Sequence, residues 1–192
     1  MAASDLPPTR LADVEDTDAL IRILCGAFRA DPLSQWIEQD SSKIDEYHAK
    51  LFRGYVENAL ARGHVYITSD GAACSLNFPP DDQAGPHVAH NENMLTVGTI
   101  FETMNEKIMG RQPHFHIAFI GSDIRGKGHG KAILSCALKA ADAAKIPCYL
   151  ENSNEANIGF YKKFGFEVVD KHCFDDGERC ATVWFMKRDP AR

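Results

Sequence analysis

The sequence predicts an α+β chain forming one domain over residues 1–192, and three observations carry that reading. Asp70-Gly71 and Asp176-Gly177 each sit between apolar runs, the short-range signal of a β-hairpin. The stretch from His114 to Lys131 passes from an apolar strand through a glycine-rich turn into a long amphipathic helix. With the strand, polar turn, short helix and hairpin that follow, the second half reads β-α-β-α-β-β.

Residues 1–9 form a loose lead-in, and Leu11 to Val14 reads as a short edge strand. A helix opens at Asp16 and places Leu20, Ile23, Leu24, Ala27 and Phe28 on one face; Asp31-Pro32 stops it. Leu33 to Ile37 is an apolar connector carrying Trp36. Ser42 and Asp45 resemble a relaxed capping box for a helix striped by Ile44, Tyr47, Leu51, Tyr55, Ala59 and Leu60, with Gly63 as its C-cap. Strands His64 to Thr68 and Ala72 to Phe78 flank the first Asp-Gly turn, and Pro79-Pro80 ends the second. Residues 81–112 begin polar and turn helical from about Asn93 to Met109, an insert that either shapes an acceptor pocket or covers a sheet edge.

Ile117 to Ile120 is a short buried strand. The helix after the glycine turn carries a small-residue face, Ile133, Leu134, Ala137, Leu138, Ala141 and Ala144, suited to close packing on a sheet. Ile146 to Glu151 is the next strand, Asn152 to Asn157 a turn rich in cap formers, and Ile158 to Phe164 a short helix closed by Gly165. Phe166 to Phe174 and Arg179 to Met186 form the terminal hairpin.

A net charge of −6 with no long basic run argues against a nucleic-acid-binding surface. The N-terminus lacks a basic segment followed by an apolar one, and no apolar run approaches a membrane span, so the expected setting is cytoplasmic, without a membrane partner. The six cysteines form no C-x-x-C pair, and most fall in apolar segments where a cysteine acts as a small hydrophobe. Neither a structural zinc site nor a disulfide framework is expected.

The glycine turn is the most informative feature. Gly126, Gly128 and Gly130 leave backbone N–H groups uncovered ahead of a helix N-terminus, an arrangement suited to a phosphate or pyrophosphate. Gly121 to Lys127 fits the frame of a P-loop, but Gly128 stands where Mg²⁺ coordination needs Ser or Thr. The G-x-G-x-G spacing also lacks the third glycine of a dinucleotide fingerprint.

Arg125-Gly126-Lys127-Gly128-His129-Gly130 matches (Q/R)-x-x-G-x-(G/A) in full. Downstream, Leu150 to Phe166 reads strand, Asn157, helix, Tyr161, then Gly165-Phe166. The two motifs at this separation resemble the GNAT superfamily of acyl-CoA-dependent N-acyltransferases. The resemblance runs over about residues 10–188 and is sharp over 114–170, the expected cofactor-binding core. Within the superfamily the layout is most similar to small-molecule acetyltransferases of the puromycin N-acetyltransferase kind. Ser122 departs from the pattern, where proline is common.

The resemblance implies an α/β/α sandwich whose mixed, mainly antiparallel sheet splays at the cofactor site, and acetyl-CoA as cosubstrate with no metal. It implies that the backbone of Ala118, Phe119 and Ile120 pairs with the pantetheine arm as an added strand would. Amides of Arg125, Gly126, Lys127, Gly128, His129, Gly130 and Lys131 would hold the pyrophosphate, with the His129 side chain facing solvent or phosphate. Asn157 would bind the pantetheine region, and Tyr161 would lie near the thioester sulfur.

Amine acetylation needs a neutral amine, a polarised carbonyl and a proton for the leaving thiolate. Tyr161 is the candidate acid, the Ile120 N–H the candidate oxyanion donor, and Glu151, at a strand's C-terminal end, the candidate base or amine-orienting carboxylate. Asp31 and Glu102 are alternatives for the base. His114 and His116 share one strand face without a third metal ligand and read as strand or site-wall residues; Trp36, Phe52 and Tyr55 line an acceptor pocket or pack in the core. The expected activity is acetyl transfer to a small primary amine by direct attack in a ternary complex, by a monomer or homodimer. Protein or peptide acetylation and non-catalytic CoA binding are the competing readings.

Overall fold

The computed structural model describes residues 6–62, 64–80 and 90–191. In chain order these form β1 (Thr9–Leu11), α1 (Thr17–Phe28), α2 (Pro32–Ile37), α3 (Ile44–Leu60), β2 (Val65–Thr68), β3 (Ala73–Phe78) and α4 (Glu92–Met109). Then follow β4 (Phe115–Ser122), α5 (His129–Ala144), β5 (Cys148–Asn152), α6 (Ile158–Lys162), β6 (Glu167–Asp175) and β7 (Cys180–Arg188). The strands make one seven-stranded sheet in the order β1-β2-β3-β4-β5-β7-β6. Only β4 and β5 pair in parallel, because α5 carries the chain back between them; every other pairing is antiparallel.

Alternation along each strand feeds two cores on opposite faces of the sheet. On one face α1 to α4 cover Val65, Ile67, Leu76, Tyr149, Val183 and Phe185. On the other, Leu134, Ala137, Leu138 and Ala141 of α5 pack on Phe115, Ile117, Cys148, Leu150 and Met186. β5 shows the division residue by residue: Cys148 and Leu150 face α5, while Tyr149 belongs to the opposite core. Glu151 therefore lies on the α1–α4 side, by the same period of two.

Several expectations need correction. The first strand is Thr9–Leu11, starting two residues earlier than expected and ending at Leu11, and Val14 lies in a 3-10 turn. Asp31-Pro32 ends α1 but also begins α2: the Asp31 carboxylate accepts from Leu33 and Ser34 N–H, and Pro32 takes the first helical position, where its missing N–H costs nothing. The expected connector is thus a helix. Ser42 caps nothing; α3 starts after Lys43 without a side-chain cap, and Ser42 bonds Asp40 instead. The Gly63 cap and the polar start of the insert at 81–89 lie outside the described residues. The strand expected at Ile117 to Ile120 extends over Phe115–Ser122.

Cys173 and Cys180 are also unlike buried hydrophobes. Buried Phe174 and Ala181 point inward, so their neighbours Cys173 and Cys180 point out, exposed on one hairpin face, where a disulfide joins them with Cα atoms 6.4 Å apart. Cys74 and Cys148 are buried thiols as expected. Among the described residues no helix is long and apolar enough to cross a membrane.

One core residue is out of place. His48 on α3 is fully buried between the rings of Tyr47 and Phe52, and neither ring nitrogen has a hydrogen-bond partner among the described residues. Burial pushes its pKa down to about 4. As pH falls below the ordinary histidine value of about 6.5, the unfolded chain takes up a proton that the native state refuses until about pH 4. Stability attributable to this site is therefore lost as pH drops through that window, by on the order of 1 kcal/mol per pH unit. His48→Leu should remove this pH dependence and raise neutral-pH stability by about 1–3 kcal/mol, since two unsatisfied polar atoms leave the core. Urea unfolding of both forms at pH 7 and pH 5 checks it; equal pH sensitivity would refute the assignment.

Candidate active site

The site grows from a defect in the sheet. β4 and β5 pair only at Phe115↔Cys148 and His116↔Tyr149; beyond those pairs no ladder joins them. At the same level the β3–β4 register shifts: Leu76 opposes Phe119 while Asn77 opposes Ile117, leaving Ala118 as a bulge. A bulge inverts the facing of everything after it. Ile117 packs in the α5 core, but Phe119 turns to the α1–α3 side, against Phe28, Phe52 and Tyr55. Opposite the splay, the backbone of Ala118, Phe119 and Ile120 presents a half-buried edge toward a missing strand.

The wedge opens toward the glycine turn. Gly126 and Gly128 adopt φ of +74° and +87°, the left-handed region that a side chain strains, and a Cβ on Gly126 would meet open space. Gly128 is the N-cap of α5 and contributes no capping side chain, so the first N–H groups of that helix stay free for a ligand. Gly130 is different: its Cβ would meet the Phe160 ring at 3.6 Å, ordinary contact, so alanine would fit there. Ser122, in the place of the usual proline, accepts from Ile124 N–H and donates to Ile124 C=O, closing the turn with its hydroxyl. Arg125, Lys127 and Lys131 are exposed, and no ion pair engages them among the described residues.

His129 departs from expectation. Its side chain is buried, and Nε2 lies 2.8 Å from Asp70 Oδ2 in the β2–β3 turn, so it faces neither solvent nor an anion at the loop. Only its backbone N–H remains for a phosphate. Asp70 is held down to about pKa 2, first by the Thr68 hydroxyl and then by His129.

On the α1–α4 side of the wedge, His116 Nε2 and Glu151 Oε2 are 2.7 Å apart, bridging the two strands where pairing ends. The Glu151 side chain is 8% exposed and that of His116 21%. Burial alone would lower the His116 pKa; the Glu151 charge and hydrogen bond outweigh it and leave the imidazole raised. His116 Nδ1 bonds no described residue. Tyr149 is buried against the His114 and His116 rings, and burial, then Glu151, pushes its phenol well above the ordinary range. Burial and the same carboxylate raise Tyr55. His114 bonds Gln112 C=O and Asn105, an anchoring role.

The pairing of His116 with Glu151 escapes sequence reading because 35 residues separate them. Strand parity alone places His116 on a shared face with His114, without indicating a partner.

Asp31 caps α2 and accepts from Ser153 Oγ, tying α2 to the turn after β5. Glu102 is exposed on α4. Among the described residues no group of three or more His, Cys, Asp or Glu side chains could hold a metal ion.

On the α5 side Tyr161 is half-buried, edge-on to Phe160 and Phe166. Burial pushes its phenol up to about 12, so it is protonated at neutral pH, and its hydroxyl bonds no described residue. Asn157 ends the 3-10 turn before α6, exposed, its side chain capping nothing. A cleft of about 710 Å³ opens among Arg29, Pro32, Trp36, Gln39 and Arg179, with Cys180 at its edge. Cys180 lies four residues along β7 from Trp184, the partner of Asn152, or about 13 Å at strand rise. The cleft thus lies beyond the C-terminal end of β5, and none of its lining residues belongs to β4, β5 or the glycine turn.

Comparison with known proteins agrees with this geometry. The family model described as "Acetyltransferase (GNAT) domain" matches residues 55–182. A peptidyl-lysine N-acetyltransferase, YjaB, from Salmonella typhimurium is 41% identical over 66 residues, 33% of this chain and 42% of that protein. The chain thus spans less than half the length of that curated relative. A Drosophila melanogaster polyamine N-acetyltransferase that forms N-acetylagmatine superposes with a TM-score of 0.69 at 13% identity, covering 94% of this chain and 98% of that one. A Corynebacterium glutamicum structure described as histone acetyltransferase HPA2 and related acetyltransferase gives 0.63 at 20% identity, covering 97% and 98%.

Proposed function

The chain belongs to the GNAT acetyltransferase family, and on that premise we propose that it moves an acetyl group from acetyl-CoA to a primary amine of a small molecule, by direct attack in a ternary complex. The observation carrying this reading is the junction at the end of the β4–β5 ladder. The uncommitted strand edge and the His116–Glu151 pair lie at that junction, while the N-terminus of α5 and a tyrosine hydroxyl that bonds no described residue belong to the helices that follow β4 and β5.

Acetyl-CoA fits the available groups. Its pantetheine arm lies along Ala118, Phe119 and Ile120 and takes the place of the absent strand pairing. Its pyrophosphate meets the amides from Arg125 to Lys131, with the Arg125, Lys127 and Lys131 side chains adding positive charge. The free Asn157 amide bonds the arm. At the thioester, the Ile120 N–H polarises the carbonyl and accommodates the oxyanion. The amine arrives as an ammonium and loses a proton to His116, whose opposite nitrogen is held by Glu151; Glu151 orients the ring and stabilises its charged form. When the C–S bond breaks, Tyr161 protonates the departing thiolate, and the proton shed by the acylated nitrogen restores the phenol, so that one proton, held on His116, is released to solvent per turnover.

His116 must be neutral to accept a proton, and its pKa is raised above the ordinary value, so kcat/KM should rise with pH through that raised value. Glu151→Gln removes the carboxylate charge and should move the midpoint down. An unmoved midpoint in Glu151→Gln would remove this pair from the mechanism.

A cationic small amine suits a chain of net charge −6, and the fold is shared with a polyamine N-acetyltransferase. Peptide lysine is the second reading, favoured by the YjaB match. A panel of polyamines, arylalkylamines, aminonucleosides and lysine peptides, followed by release of free CoA thiol, separates them. Turnover on a small amine is expected; turnover on peptides alone would overturn the assignment.

A further inference from the structure

Two side chains outside the reacting centre hold the glycine turn at its ends, and both are fastened to the β2–β3 hairpin. At the near end Asp123 takes an ion pair from Arg22 of α1, whose other guanidinium nitrogen donates to Gly71 C=O at 3.0 Å. At the far end His129, the first residue of α5, reaches Asp70 at 2.8 Å. The hairpin turn is itself rigid: Asp70 Oδ1 accepts from the Thr68 hydroxyl at 2.6 Å and from Ala72 N–H at 3.2 Å, which leaves Oδ2 aimed at His129. Residues 124–127 between the anchors are exposed, and two of the turn's glycines are in the left-handed region.

Such a segment, freely jointed, would lose much backbone entropy on closing around an anion. A carboxylate cannot donate, so His129 Nε2 carries the hydrogen toward Asp70, and the ring is committed to the hairpin and unavailable to a ligand.

We propose that His129 and Asp70 form a positioning pair that preorganises the glycine turn for the pyrophosphate of acetyl-CoA, with the β2–β3 hairpin as the fixed platform. The inference rests on the acetyl-CoA reading above but concerns residues that touch neither the thioester nor the amine. The pair governs the affinity of the cosubstrate and leaves the chemical step alone.

The test uses His129→Leu, Asp70→Ala, the double variant and His129→Gln, whose side-chain amide can restore the donor. Calorimetry with CoA should show about tenfold weaker binding in each of the first two, no further loss in the double variant, and recovery to within about threefold in His129→Gln. At saturating acetyl-CoA, kcat of Asp70→Ala, a residue that touches no part of the cosubstrate, should match the parent. Amide hydrogen exchange across residues 124–130, measured without CoA, should be faster in His129→Leu and Asp70→Ala. Unchanged affinity with unchanged exchange, or independent losses that add in the double variant, would overturn the pair. Should the parent chain not bind CoA at all, the acetyl-CoA reading fails, and the exchange data alone still decide whether the pair orders the turn.

Discussion

Gly128→Glu is expected to abolish acetyl-CoA binding, with at least about a hundredfold loss in affinity. Two effects add. Gly128 sits at φ +87°, where a side chain costs about 1–2 kcal/mol. The new carboxylate would also stand at the N-cap of α5, occupying the positive end of the helix that the pyrophosphate needs. Gly128→Ala carries the strain without the charge and should retain weak binding. The strain falls where residues 124–127 are exposed and bear little packing, so circular dichroism should report a folded chain in both. Calorimetry with CoA decides; near-parental affinity in Gly128→Glu would exclude the turn as the pyrophosphate site.

Tyr161→Phe is expected to cut kcat by about a hundredfold or more while leaving the affinity for acetyl-CoA within about twofold. The ring keeps its edge contacts with Phe160 and Phe166, so the variant removes only a hydroxyl that bonds no described residue. With the phenol raised to about 12, no deprotonation of Tyr161 intrudes near neutral pH, so the deficit should persist from pH 7 to pH 9. Steady-state rates beside CoA calorimetry separate the two effects. Unchanged turnover would take the acid role away from Tyr161.

The elements with strong local signals are legible without coordinates. Asp70-Gly71 and Asp176-Gly177 turn the hairpins where expected, and the helix after the glycine turn buries Leu134, Ala137, Leu138 and Ala141 as its period requires. α2 is hidden because six residues are too few for a helical period, and because Asp31-Pro32 is both a stop and a start signal. The bulge at Ala118 depends on the register against β3, which no local pattern encodes. His116–Glu151 and His129–Asp70, 35 and 59 residues apart, are tertiary pairs, and the second reverses the direction expected for His129. Sequence points to the groups able to meet a thioester and a pyrophosphate. Their partners become visible only once the sheet is assembled.

Initial velocities with acetyl-CoA and an accepted amine varied together, alongside the intact mass of the protein after incubation with acetyl-CoA alone, test the central claim most directly. Direct attack at the end of the β4–β5 ladder predicts intersecting reciprocal plots and a protein that gains no acetyl group. Parallel plots with a stable acetyl adduct on the chain would contradict it, since the acetyl group would then pass through a protein nucleophile before reaching the amine.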